Sequence, residues 1–220
     1  MLKRLSAGIA LMLLSAFAFA EGPAFVELKS PIPTDSPGKI EVVEFFWYGC
    51  PHCYALEPAV QKWVTQAPAD VVFKRIPAPA NEVWKAASRT FYALEAMGLQ
   101  PKLHKPLFDA VQNDRLRIHN IQQLDDWLSR QNVDVQKYRA MENSFTVESK
   151  LKRAEQLFDM SEAHGVPTIV VDGRYVVEMS NVRTPEAMMQ LVDQLIERVR
   201  ANRTSANCGR KNCFPSPPVP

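Results

Sequence analysis

The chain has 220 residues, of which 46% are hydrophobic and 23% charged, and this composition is typical of a globular protein. It excludes intrinsic disorder, collagen-like repeats and coiled coils as descriptions of the whole chain. The formal net charge of +2 derives from two basic residues within the first four positions, and the remaining charges balance. A dedicated nucleic-acid-binding protein is therefore not expected.

Residues 1–20 have the organisation of a secretory signal peptide. Two basic residues precede an apolar stretch from Leu5 to Leu14, and Ala18 and Ala20 supply the small residues that flank a cleavage point. An uncleaved anchor is the alternative, although the stretch is short for a bilayer span. We expect an exported protein, in which cysteines can form disulfide bonds.

The first elements in chain order are a strand, a helix and a second strand. The run from Ile40 to Phe46 is apolar at most positions, as expected of a central strand covered on both faces. Pro51 is favoured in the first turn of a helix, which continues with apolar residues at helical spacing. Val71 to Ile76 predicts the second strand, which ends at Pro77.

Between Asn81 and His164 the hydrophobic period is helical. Four helices are predicted from apolar stripes that start at Val83, Leu103, Ile121 and Val147. β-type sequence then returns in 168–171 and 175–177, joined by a predicted hairpin turn at Asp172 and Gly173, and Thr184 caps a final helix.

This order predicts an α/β fold with an inserted all-helical domain. Residues 21–77 and 160–203 form the two parts of one α/β domain, and residues 78–159 form the insertion. Residues 204–220 carry Cys208 and Cys213 and end in a proline-rich sequence, so we expect an exposed, partly mobile tail.

The tetrapeptide Cys50-Pro51-His52-Cys53 is the main candidate for chemistry. Cys50 is expected at the N-terminus of a helix, where free amide groups and the helix dipole stabilise a thiolate, and a protonated His52 adds to this effect. Cys53 lies one turn deeper, so Cys50 is predicted to be the attacking thiolate and Cys53 the resolving thiol. A thiolate stabilised in the dithiol form makes the disulfide a better oxidant.

Two other interpretations of the cysteines remain open at this point, and a third is disfavoured. Cys208 and Cys213 could complete a zinc site with the first pair, and Cys50–Cys53 could be a purely structural bond. A c-type haem site is disfavoured because Tyr54, not histidine, follows Cys53.

The residues Glu44-Phe45-Phe46, Cys50-Pro51-His52-Cys53-Tyr54 and Gly165-Val166-Pro167 resemble the DsbA family of periplasmic thiol:disulfide interchange proteins. The similarity extends over residues 25 to 200. It implies a thioredoxin fold, a location in the periplasm and a first cysteine of strongly lowered pKa, a property for which the family is known. It also implies reoxidation by a DsbB-like inner-membrane quinone reductase, without a bound metal or nucleotide cofactor.

The resemblance also assigns roles outside the cysteine motif. Pro167 is expected to be cis and to face the disulfide, so that the backbone of Val166 pairs with a client peptide; a simple strand-entry proline is the alternative. Glu44 is expected to be buried, with a raised pKa, and to accept the Cys53 proton, or else to pair with Lys74. Whether Lys74 or its neighbour Arg75 faces the site is left open.

The remaining candidates are weaker. His164 either satisfies carbonyl groups at a helix end or contacts clients at the rim of the site. Trp47 and Tyr48 are mainly strand core but could offer apolar contacts to unfolded chains. Cys208 and Cys213 form a local disulfide, exchange with Cys50 or join two chains.

We therefore expect an exported thiol oxidase that donates its Cys50–Cys53 disulfide to unfolded secreted proteins and is itself left reduced. We expect it to act as a monomer. A disulfide isomerase or reductase is the near alternative. A peptide-binding holdase with structural cysteines is the alternative from another class.

Overall fold

The computed structural model describes residues 24–210, with side chains described as far as residue 205. The predicted signal peptide 1–20, Cys213 and the end of the predicted tail lie outside the described residues, as does the side chain of Cys208. No helix within residues 24–210 is both long and apolar enough to cross a membrane.

The centre of the fold is a five-stranded mixed sheet. Its strands are β1 (Val26–Glu27), β2 (Ile40–Phe46), β3 (Val71–Pro77), β4 (Thr168–Val171) and β5 (Tyr175–Glu178), in the spatial order β1-β5-β4-β2-β3. Strand β2 pairs in parallel with β3 and antiparallel with β4. All seven residues of β2 are buried, which confirms the prediction of a central strand.

Seven helices enclose the described sheet on its two faces. They are α1 (Pro51–Gln66), α2 (Glu82–Ala96), α3 (Gln100–Gln112), α4 (Ile121–Arg130), α5 (Val135–Glu142), α6 (Phe145–Met160) and α7 (Pro185–Arg210). One apolar core joins α1 and α7 to the sheet, and a second core joins the sheet to the helical block from α2 to α6. The predicted α/β architecture with a helical insertion is confirmed.

Four of the helices differ from the sequence-based expectation. Helix α5 was not predicted, because Tyr138 is its one buried residue and leaves no apolar stripe to detect. Helix α7 continues to Arg210 instead of ending at residue 203, since the prolines of the tail begin only at Pro215. Val83 and Ile121, which start two of the predicted core stripes, are exposed.

The hairpin between β4 and β5 has the expected turn. Asp172 and Gly173 both adopt positive φ, at 54° and 65°. A Cβ atom at Gly173 would collide with the backbone carbonyl of Ile32, so glycine is required there by space as well as by conformation.

The topology brings two chain segments together at one edge of the sheet. Strand β2 ends at Phe46 and leads directly into the N-terminus of α1. Because β4 runs antiparallel to β2, with Thr168 opposite Phe45, the segment that precedes β4 lies at the same edge. The Cys50 turn and the Val166-Pro167 segment are therefore neighbours.

Candidate active site

Cys50 is the N-cap residue of α1. Its backbone is extended, with φ −89° and ψ 115°, and its sulfur accepts a hydrogen bond of 3.3 Å from the backbone N–H of Cys53. Pro51 occupies the first turn, where its missing N–H has no consequence for the helix. The sulfur thus lies where the unpaired amide groups of a helix N-terminus favour negative charge.

The two cysteines have opposite acidities. The pKa of Cys50 is lowered from 9.0 to about 6, first by a hydrogen bond from the Cys53 thiol and further by the backbone N–H groups of Cys53 and His52 and the charge of His52. Burial raises the pKa of Cys53, and the adjacent Cys50 sulfur raises it further. The predicted asymmetry is confirmed, although its largest cause is the Cys53 thiol, ahead of the helix N-terminal amide groups and the charge of His52 that the sequence indicates.

The Val166-Pro167 segment faces Cys50. The peptide bond between these residues is cis, as the resemblance implies, and the interpretation as an ordinary strand-entry proline is wrong. Both cysteines are free thiols, and the Cys50 thiol donates a hydrogen bond of 3.4 Å to the carbonyl oxygen of Val166. One backbone carbonyl of this segment therefore lies within reach of a group bonded to Cys50.

A groove of about 410 Å³ opens beside this segment. Its lining includes His52, His164, Val166, Pro167 and Glu178. The interpretation of His164 as a helix-end cap is wrong, because α6 already ends at Met160 and the His164 side chain is 90% exposed. Its Nδ1 atom lies 3.4 Å from Glu178 Oε1, and its backbone N–H donates to the same oxygen at 2.6 Å.

Glu44 is buried, with 1% of its surface exposed, on the side of β2 that faces α1. Burial raises its pKa from 4.5 to about 7, against the opposing effect of the Arg75 guanidinium. The expectation of a buried carboxyl group with a raised pKa is confirmed. Its partner is Arg75, whose Nε donates to Glu44 Oε2 at 3.1 Å.

The alternative prediction, that Glu44 pairs with Lys74, is wrong because of the register of the two strands. Glu44 lies directly opposite Arg75 in the parallel pair of β2 and β3, so Lys74 projects to the other face. There its ammonium group lies 2.6 Å from Glu41 Oε2. Arg75 is therefore the cation on the active-site side of the sheet.

Sequence reasoning missed two buried polar residues next to this pair. Glu57 Oε1 accepts a hydrogen bond of 2.9 Å from Arg75, and His104 of the helical block lies against the other Glu57 oxygen. Glu57 stands four residues after Cys53 and hence on the same helix face, a signal that could have identified it. His104 has no comparable signal in the sequence.

The aromatic residues before Cys50 differ in accessibility. Tyr48 is fully buried and cannot contact a client chain, which corrects one expectation. Trp47 is partly exposed and stacks on Trp84 of α2, with ring centroids 4.6 Å apart and an angle of 11° between the planes. This stack borders the Cys50 turn, because the carbonyl of Trp47 accepts a hydrogen bond from the N–H of Cys50.

Comparison with known proteins assigns the chain to a family. The model of the DSBA-like thioredoxin domain matches residues 41–190. The chain belongs to the DsbA family. The thioredoxin-like fold with a helical insertion, implied by the resemblance, is thereby confirmed.

The sequence similarity to DsbA relatives extends over most of the chain. Thiol:disulfide interchange protein DsbA of Pseudomonas aeruginosa is 39% identical over 183 residues, which cover 83% of this chain and 87% of the relative. The protein of the same name from Pseudomonas syringae pv. tomato is 40% identical over 185 residues, 84% of this chain and 86% of the relative. The crystal structure of Pseudomonas aeruginosa DsbA superposes with a TM-score of 0.79 at 39% identity, and the match covers 82% of this chain and 94% of that one.

Membership of the DsbA family gives the reaction. The protein is a thiol:disulfide oxidoreductase with disulfide oxidase function, and it works through its own cysteine pair.

Proposed function

We propose that this protein is exported to the periplasm, where Cys50 and Cys53 transfer their disulfide to unfolded clients one sulfur at a time. The observation that carries the proposal is the contrast between a Cys50 thiol with a pKa of about 6 and a Cys53 thiol whose pKa burial raises. Of the two sulfurs, Cys50 is the better leaving group and the one that contacts Val166, a residue that lines the groove.

The first step is attack by a client thiolate on Cys50 Sγ. The Cys50–Cys53 bond breaks, a mixed disulfide forms between the client and Cys50, and Cys53 leaves as a thiolate. Because the buried Cys53 thiolate is strongly disfavoured, it must be protonated at once. Glu44, whose pKa of about 7 leaves it protonated part of the time at neutral pH, supplies that proton.

The second step completes the client disulfide. A second client thiolate attacks the client sulfur of the mixed disulfide, and Cys50 leaves as a thiolate. The amide groups at the start of α1 and the Cys53 thiol hold this charge. The client loses two electrons and the protein gains them, and the proton of the second client thiol passes to solvent.

Client binding in this account uses the segment before β4. The backbone carbonyl of Val166, which accepts from the Cys50 thiol in the dithiol form, is free to accept an N–H of an extended client once Cys50 is bonded elsewhere. Pro167 holds this carbonyl toward Cys50. His164 and His52 form the rim of the groove along which the client lies.

The cycle closes by reoxidation of the dithiol. A DsbB-like inner-membrane quinone reductase accepts the two electrons, with the quinone as the oxidant. Residues 1–20 direct export, and the mature chain works as a monomer. Cell fractionation of the full chain and light scattering of the mature protein test these two statements.

Oxidative refolding of reduced ribonuclease tests the assigned reaction. We expect Cys50→Ser and Cys53→Ser each to abolish turnover, because neither variant can form the disulfide that is donated. Cys50→Ser that still oxidises ribonuclease at the wild-type rate would remove the proposal. Refolding of scrambled ribonuclease separates the alternative, because an isomerase rearranges it quickly and a donor of disulfides does not.

Glu44→Gln tests the proton donor separately. The amide cannot give a proton to Cys53, so we expect slower formation of the mixed disulfide and loss of the pH dependence near pH 7. His119→Gln, an exposed substitution in the helical block, is the matched control.

A further inference from the structure

Five polar side chains, four of them buried and the fifth largely so, form a continuous network beneath the redox pair. Arg75 lies at its centre and donates from Nε to Glu44 Oε2 at 3.1 Å and from Nη2 to Glu57 Oε1 at 2.9 Å. His104 and Tyr48 extend the network, with His104 Nδ1 2.9 Å from the Tyr48 hydroxyl. The network thus connects β2, α1 and β3 with α3 of the helical block.

Two atoms of this network have no hydrogen-bond partner among the described residues. They are Glu57 Oε2 and His104 Nε2, both buried, and they face one another at 3.5 Å. A buried polar atom without a partner is costly and rare in folded proteins. Each of these atoms is the nearest available partner of the other, at the long end of hydrogen-bond range.

The tautomer of His104 determines whether the two atoms attract. Burial lowers the pKa of His104, so the ring is neutral and carries a single N–H. Burial raises the pKa of Tyr48, so its hydroxyl keeps its proton and can donate it to Nδ1. The ring proton is then on Nε2 and points at Glu57 Oε2, where it meets a carboxylate oxygen.

The carboxyl groups of Glu57 and Glu44 therefore receive different numbers of hydrogen bonds. Glu57 receives hydrogen bonds from Arg75 and from Gln61, at 2.9 and 2.7 Å, and faces the N–H of His104. Among the described side chains, Arg75 Nε alone donates to Glu44. Hydrogen bonds to a carboxylate favour its charged form, so the proton that the two groups compete for goes to Glu44.

The pKa values of the two carboxyl groups agree with this difference in hydrogen bonding. Burial by itself would raise the pKa of Glu57, but hydrogen bonding to His104 and the charge of Arg75 bring it below the ordinary value. The charge of Glu57 in turn contributes to the raised pKa of Glu44. Glu44 then acts on Cys53, whose pKa it helps to raise.

We propose that His104 is a positioning residue that donates from Nε2 to Glu57, keeps Glu57 as the anionic partner of Arg75 and so leaves Glu44 as the carboxyl group that holds the exchangeable proton. This inference rests on the proposed role of Glu44 as proton donor to Cys53. It gives the helical insertion a part in the chemistry of the cysteine pair.

The test is the titration of the two carboxyl carbons by ¹³C NMR in the reduced protein, with assignments from Glu44→Gln and Glu57→Gln. In His104→Leu we expect the pKa of Glu57 to rise by about one unit and that of Glu44 to fall from about 7 by a similar amount. His104→Gln carries an amide N–H near the position of Nε2, so we expect it to restore most of the wild-type difference. His119→Gln is the surface control.

Unmoved carboxyl midpoints in folded His104→Leu would overturn the inference. Should that variant fail to fold, His104→Asn replaces it, because asparagine can accept from Tyr48 but is too short to reach Glu57. The titration involves no client, so its outcome is independent of turnover. A Glu44→Gln variant with normal kinetics would instead remove the proton-donor role and leave the titration result standing.

Discussion

The Cys53 backbone N–H and the Cys50 sulfur are 3.3 Å apart, and the Cys53 thiol is the principal cause of the lowered pKa of Cys50. The resolving cysteine is thus also the main hydrogen-bond donor to the attacking one. This relationship ties the acidity of Cys50 to the presence of a donor at position 53.

Cys53→Ala and Cys53→Ser form a matched pair for this relationship. The alanine variant removes the side-chain donor, so we expect the pKa of Cys50 to rise clearly above its wild-type value of about 6. The serine variant retains a hydroxyl donor and should stay close to the wild type. The pH dependence of Cys50 alkylation by iodoacetamide measures both, and equal midpoints in the two variants would refute the assignment.

The stability of the reduced protein should depend on pH through Cys50. The folded pKa of about 6 lies below the value of 9.0 for a free thiol, so the thiolate contributes stability that is complete above pH 9 and is lost as the pH falls through 6. The free energy of unfolding of the reduced form, relative to the oxidised form, should therefore increase from pH 6 to pH 8. We expect a gain of about 1 kcal/mol between pH 6 and 7.

Urea unfolding of both forms at each pH measures this difference. Glu44 titrates in the same range, with a raised folded pKa, so its contribution is complete at low pH and is lost as the pH rises through 7. Subtracting the free energy of unfolding of the oxidised form removes most of the Glu44 contribution. A difference between the two forms that does not change between pH 6 and 8 would contradict the assigned Cys50 pKa.

Gly49→Ala should disturb the turn that presents Cys50. A Cβ atom at position 49 would overlap the indole ring of Trp47, and the ring cannot move without leaving its stack on Trp84. We expect a loss of about 1–3 kcal/mol in the free energy of unfolding. Gly165→Ala is the control, since no atom lies within 4 Å of its added Cβ, and thermal unfolding of the two variants compares them.

Removal of Arg75 should destabilise the protein strongly at neutral pH. Arg75→Leu leaves Glu44 and Glu57 buried together without their shared cation, and we expect a loss of about 3–5 kcal/mol. The loss should shrink toward pH 5 as the carboxyl groups become protonated. Arg89→Ala breaks an ion pair between partly exposed side chains and should cost at most about 1 kcal/mol. Equal losses in denaturant unfolding would contradict the role of Arg75 in the buried network.

The sequence predicted those features that depend on local patterns. The apolar run of β2, Pro51 at the start of α1 and the Asp172-Gly173 turn each carry a strong local preference, and all three are present in the structure. The acidity contrast of the cysteines followed from their positions relative to one helix end. These features need no knowledge of distant residues.

The features that were missed depend on packing between distant segments. One step of strand register decides whether Arg75 or Lys74 faces Glu44. The local sequence pattern contains no information on that register. His104 reaches Glu57 because α3 packs against α1, a contact between residues 47 positions apart in the sequence. Helix α5 has too few buried residues to mark its own face.

The redox equilibrium of the Cys50–Cys53 pair with glutathione tests the central claim most directly. Because the Cys50 thiolate is stabilised in the dithiol form, we predict that the pair is at least half reduced in glutathione buffers poised at about −200 mV. A pair that stays oxidised until the buffer falls below about −300 mV, as structural disulfides do, would contradict the account.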